Sequence, residues 1–164
     1  MTVYTIGHSN VSIDAFLALL RHHQISVLVD ARSRPYSGYN PHFSREPLKR
    51  ALEDSGINYL FLGDRIGGKP TSKDFYHEDG RIDYQKLAAS DLYLEGIEQV
   101  IDLCQSHKVC LMCAEADFRK CHRYWLITRT LVSRNFRVNH ILQTGEIIIS
   151  DQSDFDSQQL ELFS

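Results

Sequence analysis

The stretch Val27-Leu28-Val29-Asp30 has apolar side chains at three consecutive positions and ends on a carboxylate. Since neighbouring residues of a strand point to opposite faces of a sheet, both faces of this segment are apolar. Strands of that kind are typical of parallel sheets that helices cover on both sides. The stretch from Val109 to Cys113 has the same character and predicts another buried strand.

Segments with helical spacing alternate with the strands. Ser12 and Ser90 are suitable N-caps, and each precedes apolar residues spaced as on one face of a helix. We predict strands at 3–7, 27–30, 59–62, 109–113 and 138–142, and helices after Ser12, at 47–54, after Ser90 and at 121–134. Such alternation implies right-handed crossovers and an α/β fold. The prediction is a three-layer sandwich, with a mainly parallel sheet of about five strands and helices on both faces.

Composition limits the class of protein. The chain has 164 residues, a net charge of −3 and no apolar run of the roughly 20 residues that a membrane span needs. Its start lacks the basic and apolar regions of a signal peptide, so we expect a cytoplasmic protein with no membrane partner and with free thiols. We expect one domain over residues 1–149, followed by a flexible acidic tail over residues 150–164.

Polar residues follow the carboxyl ends of the predicted strands, where ligands bind in sheets of this type. The turn after Val109–Cys113 leads to His122 and Arg123 at the start of a helix, whose N-terminus favours anions. We therefore predict a polar crevice at this edge of the sheet. Its catalytic candidates are Asp30, Cys113, Glu115 and His122, and its substrate-binding candidates are His8, Ser9, Arg32 and Arg123.

The cysteines leave several interpretations open. A thiol at a helix N-terminus is a candidate nucleophile, and Cys113 and Arg119 have the Cys-x5-Arg spacing of thiol phosphatases. Glu115 and Asp117 would repel the anion that such a loop must wrap, and the same objection applies to a rhodanese-like sulfur carrier. Buried core thiols are the plain alternative.

A zinc site is not predicted from these cysteines. Cys110 and Cys113 are three residues apart on a strand, so their side chains point to opposite faces. Cys104 belongs to the apolar face of its helix. The turn at His8-Ser9 also lacks a Gly-x-Gly-x-x-Gly pattern, so neither a metal nor a dinucleotide cofactor is predicted.

Two further groups have both a structural and a functional interpretation. Asp30 and Arg32 share one face of their strand end, so they form either an internal ion pair or an acid/base group with an anion clamp. Arg34 and Tyr36 lie in a loop rich in aromatic residues, which either stacks on bases or packs on the surface.

Four motifs follow one another along the chain and resemble the family catalogued as domain of unknown function 488. They are Thr5-Ile6-Gly7-His8-Ser9, Val29-Asp30-Ala31-Arg32 with Pro35 and Ser37, Leu62-Gly63 with Gly67-Gly68, and Cys113-x-Glu115 before Cys121-His122-Arg123. The resemblance covers residues 3 to 142 and implies a compact α/β domain. The polar residues that it implies as shared are Asp30, Arg32, Cys113, Glu115, Cys121, His122 and Arg123. It implies no particular reaction, and Cys-x5-Arg is not part of its pattern.

The end of the chain carries a different motif. Gln159, Leu160, Leu162 and Phe163 resemble the short peptide by which bacterial replication and repair proteins bind the DNA sliding clamp. A peptide of this kind orders on binding, with the leucine and the phenylalanine in an apolar pocket. The alternative is a tail that folds back onto its own domain.

These features lead to a functional hypothesis. We expect an enzyme that acts on a nucleotide or nucleic-acid substrate and is linked to DNA repair through the clamp motif. Asp30 and Glu115 are its acid/base candidates, Arg32 and Arg123 bind anionic groups, and Cys113 or His122 assists. A non-catalytic ligand-binding module and a thiol-dependent phosphatase or sulfur carrier are the alternatives.

Overall fold

One sheet of six strands forms the centre of the structure, a computed structural model that describes residues 1–156. The strands are β1 Thr2–Gly7, β2 Val27–Asp30, β3 Asn58–Phe61, β4 Val109–Cys113, β5 Arg137–Ile141 and β6 Ile147–Ser150. Their order in the sheet is β3-β2-β4-β1-β5-β6. The first five strands are parallel, and β6 runs antiparallel to β5. The predicted α/β fold with a mainly parallel sheet is confirmed.

Helices connect the parallel strands. They are α1 Ile13–His22, α2 Arg45–Asp54, α3 Gly63–Ile66, α4 Tyr84–Ala88, α5 Asp91–Cys104 and α6 Arg129–Ser133. The predicted caps are present, because the Ser12 hydroxyl accepts the Ala15 N–H and the Ser90 hydroxyl accepts the Tyr93 N–H. Within residues 1–156, none of the helices is both long and apolar enough to span a membrane.

The helices cover both faces of the sheet and so form two cores. On one face, Phe16 of α1 and Leu52 of α2 belong to the same buried cluster as Leu28 of β2. On the other face, Ile97 of α5 belongs to the cluster that contains Val29. Successive residues of β2 therefore serve opposite cores, which explains why this strand is apolar throughout.

The helix predicted over 121–134 is present as one helical segment over residues 122–133, and about half of it is π-helical. Asp117 caps a 3₁₀ turn, Phe118–Lys120, after which a π-helical turn, Arg123–Thr128, leads into α6. The Thr128 hydroxyl donates to the Arg123 carbonyl at 2.6 Å and so satisfies an acceptor inside the wide turn. The predicted helix is therefore present at close to its predicted bounds, but its π-helical part was not predicted, because hydrophobic periodicity does not register local bonds of this kind.

The sequence patterns missed β6, which pairs with β5 after a turn with Gly145 at a φ of 89°. Ser150 ends this strand, and its hydroxyl lies 2.9 Å from Nε2 of His140. Phe155 is buried against Tyr124, with ring centroids 5.2 Å apart. The packed chain therefore continues past the predicted domain end at residue 149, and the clamp motif at residues 159–163 lies outside the described residues.

Candidate functional site

A cavity of about 370 Å³ lies at the carboxyl ends of β1, β2 and β4. β4 lies between β1 and β2 in the sheet, and the chain leaves β4 towards the opposite face from the one that α1 and α2 cover. This is the topological switch point at which open α/β sheets bind ligands. The lining residues are His8, Arg32, Ser33, Arg34, Tyr36, Ser37, Gly68, Lys69, Tyr84, Cys113, Ala114, Glu115, Lys120, Cys121 and His122.

Asp30 and Arg32 form a buried, two-pronged ion pair beneath the cavity. Arg32 Nε lies 2.9 Å from Asp30 Oδ1, and Nη2 lies 2.8 Å from Oδ2. The Tyr59 hydroxyl donates to Oδ2 at 2.6 Å. Burial, followed by the charge of Asp30, raises the pKa of Tyr59, so this hydroxyl stays a donor. Asp30 is thereby saturated and does not line the cavity, whereas Arg32 does.

Arg32 also connects the ion pair to the loops around it. Nη1 donates to the carbonyl of Phe43 at 2.7 Å and lies 3.4 Å from Nε2 of His8. The guanidinium therefore has protein partners on every side, and what it contributes to the cavity is positive charge and a fixed position.

His8 lines the cavity as a neutral ring. Its Nδ1 donates to the Ser9 carbonyl at 2.7 Å, which leaves Nε2 as an acceptor facing Arg32. Burial lowers the pKa of His8 from 6.5 to about 4. Ser9 has a φ of 45° and donates its N–H to Ala114, so it joins two loops and does not line the cavity.

Arg123 is almost fully buried, and it anchors the loop that follows β4. Its Nη2 donates to the carbonyls of Glu115 and Ala116 at 2.9 and 3.4 Å, and Nη1 donates to the Thr5 hydroxyl at 3.3 Å. Nε has no hydrogen-bond partner among the described residues. The predicted substrate-binding role places this side chain in the cavity, and the structure places it behind the cavity wall.

Cys113, Cys121 and His122 meet at the floor of the cavity. Their sulfur and ring-nitrogen atoms all lie within 4.8 Å of one another. Cys113 Sγ is 3.8 Å from Nε2 of His122, and this nitrogen also lies 3.1 Å from the Ala31 carbonyl oxygen. Burial lowers the pKa of His122, and a hydrogen bond with Cys113 together with burial raises the pKa of Cys121. The Cys121 thiol and the His122 ring are therefore uncharged near neutral pH.

The remaining cysteines lie elsewhere, and all four are free thiols. Cys110 is buried in the core beneath α1 and α2, whereas Cys113 belongs to the core on the other face. The predicted opposite orientation of these two cysteines is confirmed. Cys104 lies on α5, half-buried beside the core.

Two glycines permit the close approach of the loops. A Cβ on Gly7 would lie 1.7 Å from the Glu115 carbonyl oxygen, and a Cβ on Gly68 would lie 2.6 Å from the His122 ring. Both positions therefore require glycine, which keeps the turns after β1 and α3 against the site. Glu115 itself is exposed and belongs to the lining of the cavity.

Sequence reasoning singled out Arg34 but missed the two lysines of the cationic rim of the cavity. Arg34, Lys69 and Lys120 line it, and within residues 1–156 none of them forms an ion pair. Among the described residues, Glu115 is the one carboxylate in the lining, so the rim carries an excess of positive charge. The lysines stand far apart in the sequence, and only the position of Lys69 after Gly67-Gly68 was a hint of this role.

Comparison with known proteins identifies the family of the chain. A family model described as "Domain of unknown function DUF488" matches residues 12–130, which is more than half of the chain. No curated protein and no solved structure matches the chain. The matched range contains the predicted motifs from Asp30 to Arg123, so the predicted resemblance is confirmed. The chain therefore belongs to the DUF488 family of domains of unknown function.

Proposed function

We propose that the protein is an enzyme that acts on a nucleotide or nucleic-acid substrate in this cavity. The observation that carries the proposal is the combination of three rim cations that form no ion pair within residues 1–156 with an aromatic ring that is 76% exposed, Tyr36. Exposed aromatic rings stack on bases, and lysine and arginine bind phosphate. An anionic ligand without a planar ring would bind to the cations but would make no stacking contact with Tyr36.

The side chains have distinct roles in this scheme. Arg34, Lys69 and Lys120 bind phosphate groups at the rim, and Tyr36 stacks on a base. Glu115 is the acid/base candidate, because it is the carboxylate that borders the open cavity. Asp30 and Arg32 position the turn after β2 through their ion pair, which is a narrower role for Asp30 than the acid/base role expected from the sequence.

The test begins with the full chain and a panel of nucleotides and single-stranded oligonucleotides. Binding is followed by fluorescence anisotropy, and turnover is followed by chromatography of the products. Replacing Glu115 by Gln should abolish turnover while leaving binding within a few fold of wild type. Glu53→Gln is the matched control, since Glu53 is exposed on α2 and does not line the cavity. Unchanged turnover in the Glu115 variant would contradict the role of this residue.

Stable binding of a nucleotide without turnover would favour the non-catalytic module instead of the enzyme. If no member of the panel binds, the nucleotide proposal fails as a whole.

Thiol-dependent chemistry is a second candidate, supported by the 3.8 Å separation of Cys113 Sγ from Nε2 of His122. A phosphatase or sulfur carrier would use Cys113 as the nucleophile, with an anionic substrate held by the same rim. Cys113→Ser should then abolish activity on a phosphate ester or a thiosulfate donor, whereas Cys104→Ser should not. Equal activity of the two variants would exclude this candidate.

The tail supplies a separate proposal, that residues 159–163 bind the DNA sliding clamp. Support comes from the sequence of Gln159, Leu160, Leu162 and Phe163 alone. A pull-down with purified clamp should recover the full chain and should lose it when Leu162 and Phe163 are replaced by Ala. Equal recovery of both chains would remove the proposed link to DNA repair.

A further inference from the structure

Three side chains with metal-binding atoms converge on the floor of the cavity. Cys113 comes from the last position of β4, whereas Cys121 and His122 come from the residues just before the π-helical turn. Their two sulfur atoms and one ring nitrogen lie within 4.8 Å of one another. Ligand atoms around tetrahedral zinc are about 3.5 to 3.8 Å apart, given its bond lengths. Small side-chain rotations therefore bring these three atoms to the spacing that zinc requires.

We propose that Cys113, Cys121 and His122 form a binding site for a zinc-class divalent cation, with a fourth coordination position open to the cavity. Two sulfurs and one imidazole are a donor set that selects zinc over magnesium or calcium. Three protein ligands are typical of catalytic zinc sites, in which a water or a substrate atom fills the fourth position. All three ligands line the cavity, so an incoming oxygen or nitrogen atom reaches the metal from there.

The surroundings hold the ligands in this arrangement. The carbonyl of Ala31 lies 3.1 Å from His122 Nε2, and Gly68 leaves the space that the His122 ring occupies. Arg123 fixes the backbone of Glu115, which lies two residues after Cys113. In metal sites a carbonyl commonly bonds the histidine nitrogen that faces away from the metal, so the bond to Nε2 orients this ring only while no metal is bound. Ligation through Nε2 would exchange this bond for one to the metal and place the ring proton on Nδ1.

The other two cysteines, Cys104 and Cys110, are not part of the proposed site. The sequence argument against zinc concerned these two residues as ligands, and the structure places both of them outside the cluster. Cys110 lies among aliphatic side chains on the opposite face of the sheet, and Cys104 lies on α5. The second sulfur comes instead from Cys121, which lies eight residues beyond the end of β4.

The charge of the site is compatible with a metal in cationic surroundings. Two thiolates neutralise a divalent cation, so the centre as a whole carries no net charge to be repelled by Arg34, Lys69 and Lys120. The same cations would attract an anionic ligand to the fourth position. Zinc lowers the pKa of bound water to about 7. A water molecule bound to the metal would share the cavity with Glu115, whose carboxylate could accept its proton. The metal site does not depend on the substrate being a nucleotide.

The main experiment is a titration of the reduced full chain with Co²⁺, which reports thiolate ligands through sulfur-to-cobalt charge-transfer absorption. We expect one Co²⁺ per chain, with an absorption intensity for two thiolates, displaced by one equivalent of Zn²⁺. Cys121→Ser should weaken Zn²⁺ binding by more than about 100-fold, since changes outside the ligand shell alone typically cost about 10- to 100-fold. The matched control, Cys104→Ser, should bind as wild type.

Absence of charge-transfer absorption in the wild-type chain would overturn the proposal, and so would equal affinity of the wild-type and Cys121→Ser chains. If Cys121→Ser does not fold, X-ray absorption spectroscopy of the zinc-loaded wild-type chain decides. Two sulfurs and one imidazole in the ligand shell would support the site, and a shell without sulfur would exclude it. Phosphate-dependent binding at the rim is measured separately, so loss of the nucleotide proposal leaves this result unaffected.

Discussion

The buried ion pair at the end of β2, Asp30 with Arg32, and the buried Arg123 after β4 differ in whether their charge is neutralised. Asp30 and Arg32 neutralise each other through two short bonds, and Tyr59 satisfies the remaining lone pair. Arg123 is just as buried, yet among the described residues its partners are two carbonyls and one hydroxyl, with no carboxylate at ion-pair distance. The first region is a closed, neutral unit, whereas the second leaves a positive charge behind the thiols and the loop of Glu115.

This difference has a chemical consequence. A closed ion pair supports the fold and the shape of the cavity, but it has little capacity left for a ligand. An arginine without an acidic partner favours negative charge in its neighbourhood, whether on a thiolate or on a bound anion. We therefore expect changes at Asp30 to act first on stability and changes near Arg123 to act on both stability and ligand binding.

The largest effect is expected from breaking the ion pair. Asp30→Asn leaves Arg32 charged and buried, which typically costs about 3 to 5 kcal/mol of unfolding free energy. Urea denaturation followed by circular dichroism measures the loss. Glu98→Gln is the control, because the Glu98–Arg134 pair is half-exposed and should contribute less than about 1 kcal/mol. A loss for Asp30→Asn no larger than that of the control would show that the pair is not a structural unit.

A smaller loss is expected from Arg123→Met. This change leaves the carbonyls of Glu115 and Ala116 without their donor, at a cost of about 1 to 3 kcal/mol, but it strands no opposite charge. The same denaturation experiment should place it between Asp30→Asn and wild type. Anion binding to the cavity should weaken in this variant, and a stability loss above that of Asp30→Asn would reverse the comparison.

The pH dependence of stability gives a third test, through His140. This ring lies between the hydroxyls of Thr5 and Ser150, and burial, followed by the charge of Arg123, lowers its pKa from 6.5 to about 3. Below pH 6.5 the unfolded chain therefore takes up a proton that the folded chain refuses, so stability falls as the pH is lowered towards 3. Between these two pKa values, His140 should lower the unfolding free energy by up to about 1.4 kcal/mol for each pH unit of acidification.

The unfolding free energy is measured in urea at pH 7, 6 and 5. The wild-type chain should lose more stability over this range than His140→Gln, and the control His77→Gln, an exposed histidine, should follow the wild type. Parallel pH profiles for wild type and His140→Gln would mean that the ring takes up its proton at the same pH in the folded and the unfolded chain, so that folding does not lower its pKa.

The smallest effect is expected at the rim. Lys69→Gln removes one exposed cation, and exposed charges contribute little because water and salt screen them. Affinity for a phosphate-containing ligand should fall by less than about fivefold at moderate salt, as measured by isothermal titration calorimetry. Lys73→Gln, an exposed lysine outside the cavity, should have no effect. A loss at Lys69 that grows with salt concentration would contradict an electrostatic role.

Much of the fold could be predicted because burial leaves a pattern in the sequence. β2 and β4 have the predicted bounds, since continuous apolar runs between turns admit few alternatives. The starts of α1 and α5 could be predicted because a serine hydroxyl accepts a free N–H of the first turn, which depends on the local sequence only. β6 was missed because a short edge strand depends on its partner β5 and on a tight turn, which the pattern of Ile147–Ser150 does not reveal.

The sequence by itself determined the parallel sheet, the strand ends that carry polar residues, and the opposite orientation of Cys110 and Cys113, because these follow from the two-residue period of a strand. Only the tertiary structure decided which polar groups meet. In the structure Asp30 bonds to Arg32 and Tyr59, and Arg123 lies behind the cavity wall. Cys121 and His122 lie close to Cys113. The contacts of Tyr59 with Asp30 and of Arg123 with Thr5 depend on how the strands are ordered in the sheet. The contacts of Cys113 with Cys121 and His122 depend on the turns that bring the chain back to the end of β4.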